Sequence, residues 1–367
     1  MPRAKVQKSE KSDDTLYKCV PVDWQWMPKS VRWILGWLNI IAFVLAFLSI
    51  PILCLFLLNP YAWRWWPEMN YTIIAITMVS MLLPAREWPS ARRWGQLWYE
   101  IFDFHANLTP EQCAMNVERG EDEQFIIGMH PHGILPLHSW LWCAYCDQYL
   151  STPATKSGQK RREMYGFGGA ADIVEKMPFL RNIMGWLSAA SASYHVLRRG
   201  LVEGKSTPVN NGGRTPKHLY MLPGGVAEVF TSCPGDNTIV FKDRYGLTRL
   251  SLETGAKLIP CYVFGGTDFF ENIATADGFL ARLSRKFKMG IVGFYGKWGC
   301  PFIPYTPKVT MVIGDPLDVE KWDVPTKGRI PDGVVHELHA RYLGSITELF
   351  EKYKIAAGHP NAKLVIK

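Results

Sequence analysis

Phe125-Ile126-Ile127-Gly128-Met129-His130-Pro131-His132-Gly133 is the stretch on which the reading of this chain turns. The apolar run Phe125–Ile127 reads as a buried strand, and Pro131 with Gly133 ends it in a turn. Proline fixes its own φ and restricts the residue before it, so His130 and His132 leave a stiff strand end in set directions. Histidine is the side chain whose ordinary pKa suits proton transfer near neutral pH, which makes either ring a candidate general base. Two other readings stand beside this one. Each ring is one of nine histidines and could be a satisfied core or surface residue. An i, i+2 pair on a strand can also put both rings on one side, as metal ligands would be. No Cys, Asp or Glu cluster lies nearby in sequence to complete a ligand set, so no metal is expected.

With 367 residues the chain is long enough to bury a full core and carry a membrane appendage. The net charge of +8 favours an anionic partner, and fifteen tryptophans suit anchoring at a bilayer interface. No zinc finger, RNA-recognition signature or basic zipper is present, which excludes the common nucleic-acid binders. Cys143-Ala144-Tyr145-Cys146 has no second pair at zinc-ribbon distance and reads as ordinary buried cysteine.

Residues 1–32 form a basic segment with Arg3, Lys5, Lys8, Lys11, Lys18, Lys29 and Arg32, and Trp33 to Leu58 then carries no charge. At ~1.5 Å per residue that run exceeds a ~30 Å hydrocarbon core. Residues 59–70 interrupt it with prolines, charges and aromatic side chains, and Tyr71 to Leu83 is apolar again. Basic residues resume at Arg86, Arg92 and Arg93, so positive charge flanks both outer ends. The expectation is a transmembrane helical hairpin over 33–84 with both termini cytosolic. A buried helical hairpin and a re-entrant pair kinked at Pro51 are the alternatives.

From about residue 95 short apolar strands alternate with helical stretches. Strands are expected at Phe125–Ile127, His218–Leu222, Thr238–Phe241, Leu258–Phe264 and Lys308–Ile313. Helices are expected at Leu135–Leu150, Asp172–Trp186, Leu247–Thr254 and Asp332–Tyr353. This alternation predicts an α/β fold: a mixed sheet flanked by helices, with sites outside the strand ends. Gly166-Phe167-Gly168-Gly169 and residues 210–213 read as loops, and 356–367 as a basic tail. Phe279–Lys288 interleaves apolar and basic positions, which suits a helix lying on a membrane surface or a core-facing helix with a solvated side. His336-Glu337-Leu338-His339 has the wrong histidine spacing for a zinc protease.

Three further constellations follow in order. They are Leu222-Pro223-Gly224-Gly225-Val226-Ala227-Glu228; the run from Arg244 through Arg249 and Lys257 to Pro260, which leads into Phe264-Gly265-Gly266-Thr267-Asp268; and Gly314-Asp315-Pro316-Leu317. Together with the two histidines these resemble the type-2 diacylglycerol acyltransferase family, which includes monoacylglycerol and wax-alcohol acyltransferases. The resemblance covers residues 95–355 as one acyltransferase domain. It implies a glycerolipid acyltransferase-like fold in the endoplasmic reticulum membrane, with the lipid droplet surface as a second location. Two positions depart from the family pattern. Phe102-Asp103-Phe104-His105 stands in place of a Tyr-Phe-Pro block, and Gly266 stands where a glutamate is usual, with Asp268 as a substitute carboxylate. Leu135 and Leu137 occupy the positions at which an H-x4-D motif would place its aspartate.

What the resemblance implies is acyl transfer from fatty acyl-CoA to diacylglycerol, with monoacylglycerol or a long-chain alcohol as alternative acceptors. His132 is the expected base, with His130 its rival or positioning partner and Glu228 as the carboxylate that orients the ring. Gly133, Gly224 and Gly225 are candidate oxyanion donors, and Arg244, Arg249 and Lys257 are candidates for the CoA phosphates. The expected partners are the acyl-CoA co-substrate, diacylglycerol and the bilayer, with no further cofactor; a homo-oligomer is compatible with this picture. The non-enzymatic alternative is a membrane-anchored lipid-binding protein.

Overall fold

The structure, a computed structural model, describes residues 15–108, 124–146, 166–203, 218–273, 278–287, 292–324 and 328–367. The strands in chain order are β1 Tyr17–Lys18, β2 His105–Ala106, β3 Phe125–His130, β4 Gly166–Ala170, β5 Ala189–Ser191, β6 His218–Met221, β7 Thr238–Ile239, β8 Lys257–Phe264, β9 Glu271–Asn272, β10 Phe294–Tyr295, β11 Thr310–Ile313 and β12 Val365–Ile366. Eight of them form one mixed sheet in the order β1-β2-β11-β8-β3-β6-β4-β5. From β8 to β5 every pairing is parallel, with Ile127 opposite Tyr220 and Ile259, whereas β11 runs antiparallel to β8. The expected mixed sheet flanked by helices is therefore what forms.

β3 alternates as a strand between two layers must. Phe125, Ile127 and Met129 enter an aromatic layer with Trp98, Trp140 and Trp142, while Ile126 enters the opposite layer with Tyr262, Leu338, Tyr342 and Phe350. The second layer is built on the helix Asp332–Tyr353, which forms over its expected residues. Gly128 is the strand position beneath Tyr342, where a Cβ would overlap the phenol oxygen.

The two apolar N-terminal runs behave differently. Lys29–Phe47 is a 19-residue helix, and among the described residues it alone is long and apolar enough to cross a membrane. Its Gly36, Ile40, Phe43 and Val44 are buried, with Phe43 against Trp98 and Trp140. Trp33, Ile34 and Leu38 on the other side are exposed. The helix breaks at Leu48 and resumes as Ser49–Leu57. Pro51 accounts for the break, because its ring excludes the helical carbonyl four residues back, at Phe47. Pro60–Trp65 and Pro67–Leu82 follow, and Arg181 ties down the end of the last helix by donating to the carbonyls of Ser80, Met81 and Leu83.

Three expectations need correction. Gly166–Ala170 is strand β4 rather than a loop: its glycines are used because the Tyr220 ring of the neighbouring strand lies where a Gly168 Cβ would be. Asp172–Trp186 is a short helical turn, Asp172–Lys176, and a separate helix, Leu180–Trp186, because Pro178 cannot continue the first. Thr238–Phe241 is only a two-residue strand, and it pairs with the chain terminus at β12 rather than joining the main sheet. Residues 147–150, 210–213 and 288 of the expected elements lie outside the described residues.

Candidate active site

Because β3, β4 and β6 are parallel, their carboxyl ends share one edge of the sheet, and the crevice beyond it is where α/β folds place ligands. A cavity of about 610 Å³ lies there. Its wall comprises His132 and Leu135 after β3, Gly168 to Ala171 of β4 and the turn after it, and Tyr220 to Pro223 around the end of β6. Phe47, Leu48 and Pro51 close it from the broken apolar segment, and Val292 and Phe294 from around β10.

The two histidines do not face the same side, contrary to the i, i+2 expectation. His130 is the last residue of β3 and keeps the alternation of Ile126 and Gly128, so it points away from the cavity into the layer of the C-terminal helix. It is fully buried, its Nε2 lies 3.3 Å from the Tyr342 hydroxyl, and its ring stands 5.2 Å from Phe241. The Tyr342 hydroxyl donates to Gly128 O at 3.2 Å, so His130 Nε2–H is the donor of the pair. Burial pushes the His130 pKa down to about 3 and keeps the ring neutral.

His132 lies past Pro131, where the chain has left the strand and the alternation no longer applies. Gly133 makes this turn with φ +72°, and a Cβ there would meet Gly266 O. The half-buried His132 ring has Nδ1 2.8 Å from Gly133 O. A carbonyl only accepts, so Nδ1 carries the proton and Nε2 carries the lone pair. Burial lowers the His132 pKa, partly offset by that hydrogen bond.

Glu228 holds the turn rather than the ring. Its Oε2 accepts the His132 backbone N–H at 2.6 Å and its Oε1 accepts the Val240 N–H at 2.8 Å. Oε1 is also 4.0 Å from His130 Nδ1. Burial raises this carboxyl to about 7, against the pull of the two N–H groups. Gly224 makes the arrangement possible, since any Cβ there would overlap the Glu228 carboxylate one helical turn on. Gly225 has φ +50° and borders the cavity.

Of the three nominated cations, Arg244 is brought to the cavity wall, donating to Pro223 O at 3.4 Å. Arg249 pairs with Asp332 at 2.6 Å on the helical side of the sheet. Lys257 begins β8, five residues before the partner of His130, so it sits ~17 Å away at the opposite sheet edge, paired with Asp318 at 3.0 Å. Asp268 braces a loop by accepting from Gly235 N–H and Thr267 Oγ1. His339 of the zinc-like motif is buried, with Nε2 donating to the Phe241 and Lys242 carbonyls. Among the described residues no group of His, Cys, Asp and Glu could hold a metal. The sequence reading passed over His138, which is fully buried, stacked on Phe269 and without a hydrogen-bond partner at either nitrogen.

Residues 66–367 match the family model described as diacylglycerol acyltransferase. The chain belongs to the diacylglycerol acyltransferase family. It is similar to diacylglycerol O-acyltransferase 2 of Mus musculus, at 26% identity over 89% of this chain and 81% of the mouse protein. The corresponding protein of Danio rerio matches at 26% over 94% of this chain and 91% of its own length. Acyl-CoA wax alcohol acyltransferase 2 of Mus musculus matches at 26% over 79% of this chain and 84% of its own length.

Proposed function

We propose that this chain transfers an acyl group from fatty acyl-CoA to the free hydroxyl of diacylglycerol, with His132 as general base. The observation that carries the reading is the His132 tautomer: with Nδ1–H given to Gly133 O, Nε2 is left as a proton acceptor on the wall of an apolar cavity. Nε2 takes the hydroxyl proton as the alcohol oxygen attacks the thioester carbonyl. The C–S bond then breaks, the ester forms, and the imidazolium gives the proton to the departing CoA thiolate. No covalent enzyme intermediate, metal or further cofactor is needed for this balance. The lowered His132 pKa keeps the ring unprotonated at neutral pH.

In this reading Glu228 is a positioning residue that fixes the His132 backbone, and His130 is a buried neighbour of the turn. Backbone N–H groups of the Gly133 and Gly224-Gly225 turns are the oxyanion donors, and Arg244 meets a CoA phosphate at the cavity rim. Lys257, far from the rim, takes no part, and Arg249 is engaged by Asp332 instead. The membrane arrangement follows from the same cavity. Phe47, Leu48 and Pro51 belong both to its wall and to the apolar N-terminal segment, so an acceptor dissolved in the bilayer reaches His132 laterally. A hairpin over 33–84, cytosolic termini and residence in the endoplasmic reticulum or at lipid droplets complete the proposal.

A long-chain alcohol as acceptor is the second reading, favoured by the match to a wax alcohol acyltransferase. The test uses the purified chain in vesicles with labelled oleoyl-CoA and, in parallel, diacylglycerol, monoacylglycerol and hexadecanol. Triacylglycerol as the main product supports the proposal, and wax ester as the main product selects the second reading. No product from folded protein would reject both.

A further inference from the structure

Next to the cavity lies a strongly asymmetric segment that the catalytic reading leaves unexplained. Residues 278–303 contain five Lys or Arg and no Asp or Glu. The helix Phe279–Phe287 turns Ala281 and Ser284, both fully buried, inward, and presents Arg282 and Lys286 outward with Phe279. Phe279, the first residue of this helix, is 68% exposed. The neighbouring Ile273 is 64% exposed, and β10, paired antiparallel with β9 beside it, carries Phe294 into the cavity wall.

Beyond β10 is the turn Lys297–Gly299. Trp298 at its tip is 87% exposed, the highest value among the exposed large apolar side chains of the described residues. It also has φ +58°, a conformation costly for a bulky side chain. The turn is closed by backbone hydrogen bonds: Gly296 N–H donates to Cys300 O and Lys297 N–H to Ile303 O, each at 2.9 Å. A strained, clamped and wholly exposed tryptophan gains nothing in water, whereas an indole is at home where headgroups meet acyl chains. The turn is also continuous with the candidate membrane helix, because Lys297 Nζ lies 5.9 Å over the Trp37 ring.

We propose that the helix Phe279–Phe287 and the Trp298 turn form a second membrane-contacting lip at the mouth of the cavity, distinct from the N-terminal apolar segment. Its occupant is a bilayer surface with anionic headgroups: Phe279 and Trp298 enter the interface, and Arg282 and Lys286 meet lipid phosphates. The lip holds the cavity mouth at the leaflet, whichever acceptor the cavity takes.

The full chain carrying a benzophenone amino acid at position 298, 279 or 355 is reconstituted in vesicles of phosphatidylcholine with and without radiolabelled phosphatidylserine, then irradiated. Ile355, 70% exposed on the C-terminal segment, is the control. Lipid cross-linking at 298 and 279 and not at 355 is expected. Arg282→Gln with Lys286→Gln is expected to lower phosphatidylserine cross-linking at 298 by about fivefold per cation. Trp298→Glu is expected to raise the KM for bilayer-presented acceptor without changing kcat on water-soluble dioctanoylglycerol. Equal labelling at 298 and 355, or none at 298, overturns the lip. Because cross-linking needs no turnover, its outcome is independent of the acyltransfer proposal.

Discussion

Glu228→Gln is the most informative single change, because it alters one atom and leaves the volume alone. The carboxylate accepts the His132 N–H at 2.6 Å through one oxygen and the Val240 N–H at 2.8 Å through the other. An amide offers one acceptor and one donor, so in either orientation one backbone N–H faces an NH2 group. Leaving one buried backbone N–H unsatisfied costs ~1–3 kcal/mol. If that cost falls on the placement of His132, kcat drops roughly 5- to 150-fold. The acyl-CoA KM is expected to stay put, since Glu228 is fully buried and not part of the cavity wall. A second readout comes from linkage. The folded protein holds the Glu228 proton up to about pH 7 against an ordinary value of 4.5. Between these values the folded state holds more of the Glu228 proton than the unfolded state does, so the Glu228 contribution to stability falls as pH rises through the window, against the opposite trend of the buried histidines. This contribution, about 3 kcal/mol in size, is fully present below pH 4.5 and gone above pH 7. In Glu228→Gln this contribution should vanish, so the wild-type-minus-variant stability difference should fall by about 3 kcal/mol from pH 4.5 to 7. The assays are steady-state acyl transfer with bilayer-presented diacylglycerol and denaturant melts from pH 4 to 8. Wild-type kcat together with an unchanged pH slope would refute the positioning role.

Three further outcomes follow from the same geometry. Arg244→Ala should raise the acyl-CoA KM about 5- to 10-fold, a value discounted for its exposure, while Lys257→Ala leaves it unchanged; equal effects would place the CoA site elsewhere. His138→Leu removes a buried ring with no hydrogen-bond partner, at the expense of its stacking on Phe269, and should stabilise by about 1 kcal/mol in a thermal melt. A loss of stability there would contradict this reading of His138. The rate should be flat above the lowered His132 pKa and fall as pH drops through it, and an acid limb above pH 6.5 in the kcat profile would point to another base.

What was readable from sequence differed by element. The strand through Ile127 and the helix Asp332–Tyr353 were legible because apolar periodicity, Pro131 and Pro331 mark their bounds locally. The family was legible because several motifs had to occur in order. β4 was not, since four small residues in five have weak strand propensity and only the overlying Tyr220 ring explains them. The division of labour between His130 and His132 was hidden as well. Their spacing says i, i+2, but Pro131 turns the chain between them, so one ring keeps the strand alternation and the other does not. Glu228 is expected from sequence to orient the ring, and its bond to the His132 backbone N–H instead depends on how the helix after Gly224 folds back. Lys257 illustrates the opposite error: a cation adjacent in motif order lies a full strand length from the site.

The central claim is that His132 Nε2 takes the acceptor proton. Its most direct test is triacylglycerol formation from labelled oleoyl-CoA and diacylglycerol by wild type, His132→Ala and His130→Ala, each shown to be folded. Loss of ~10²–10⁴-fold in His132→Ala, with measurable activity kept in His130→Ala, is the expected result. Activity that survives in His132→Ala and disappears in His130→Ala would contradict it.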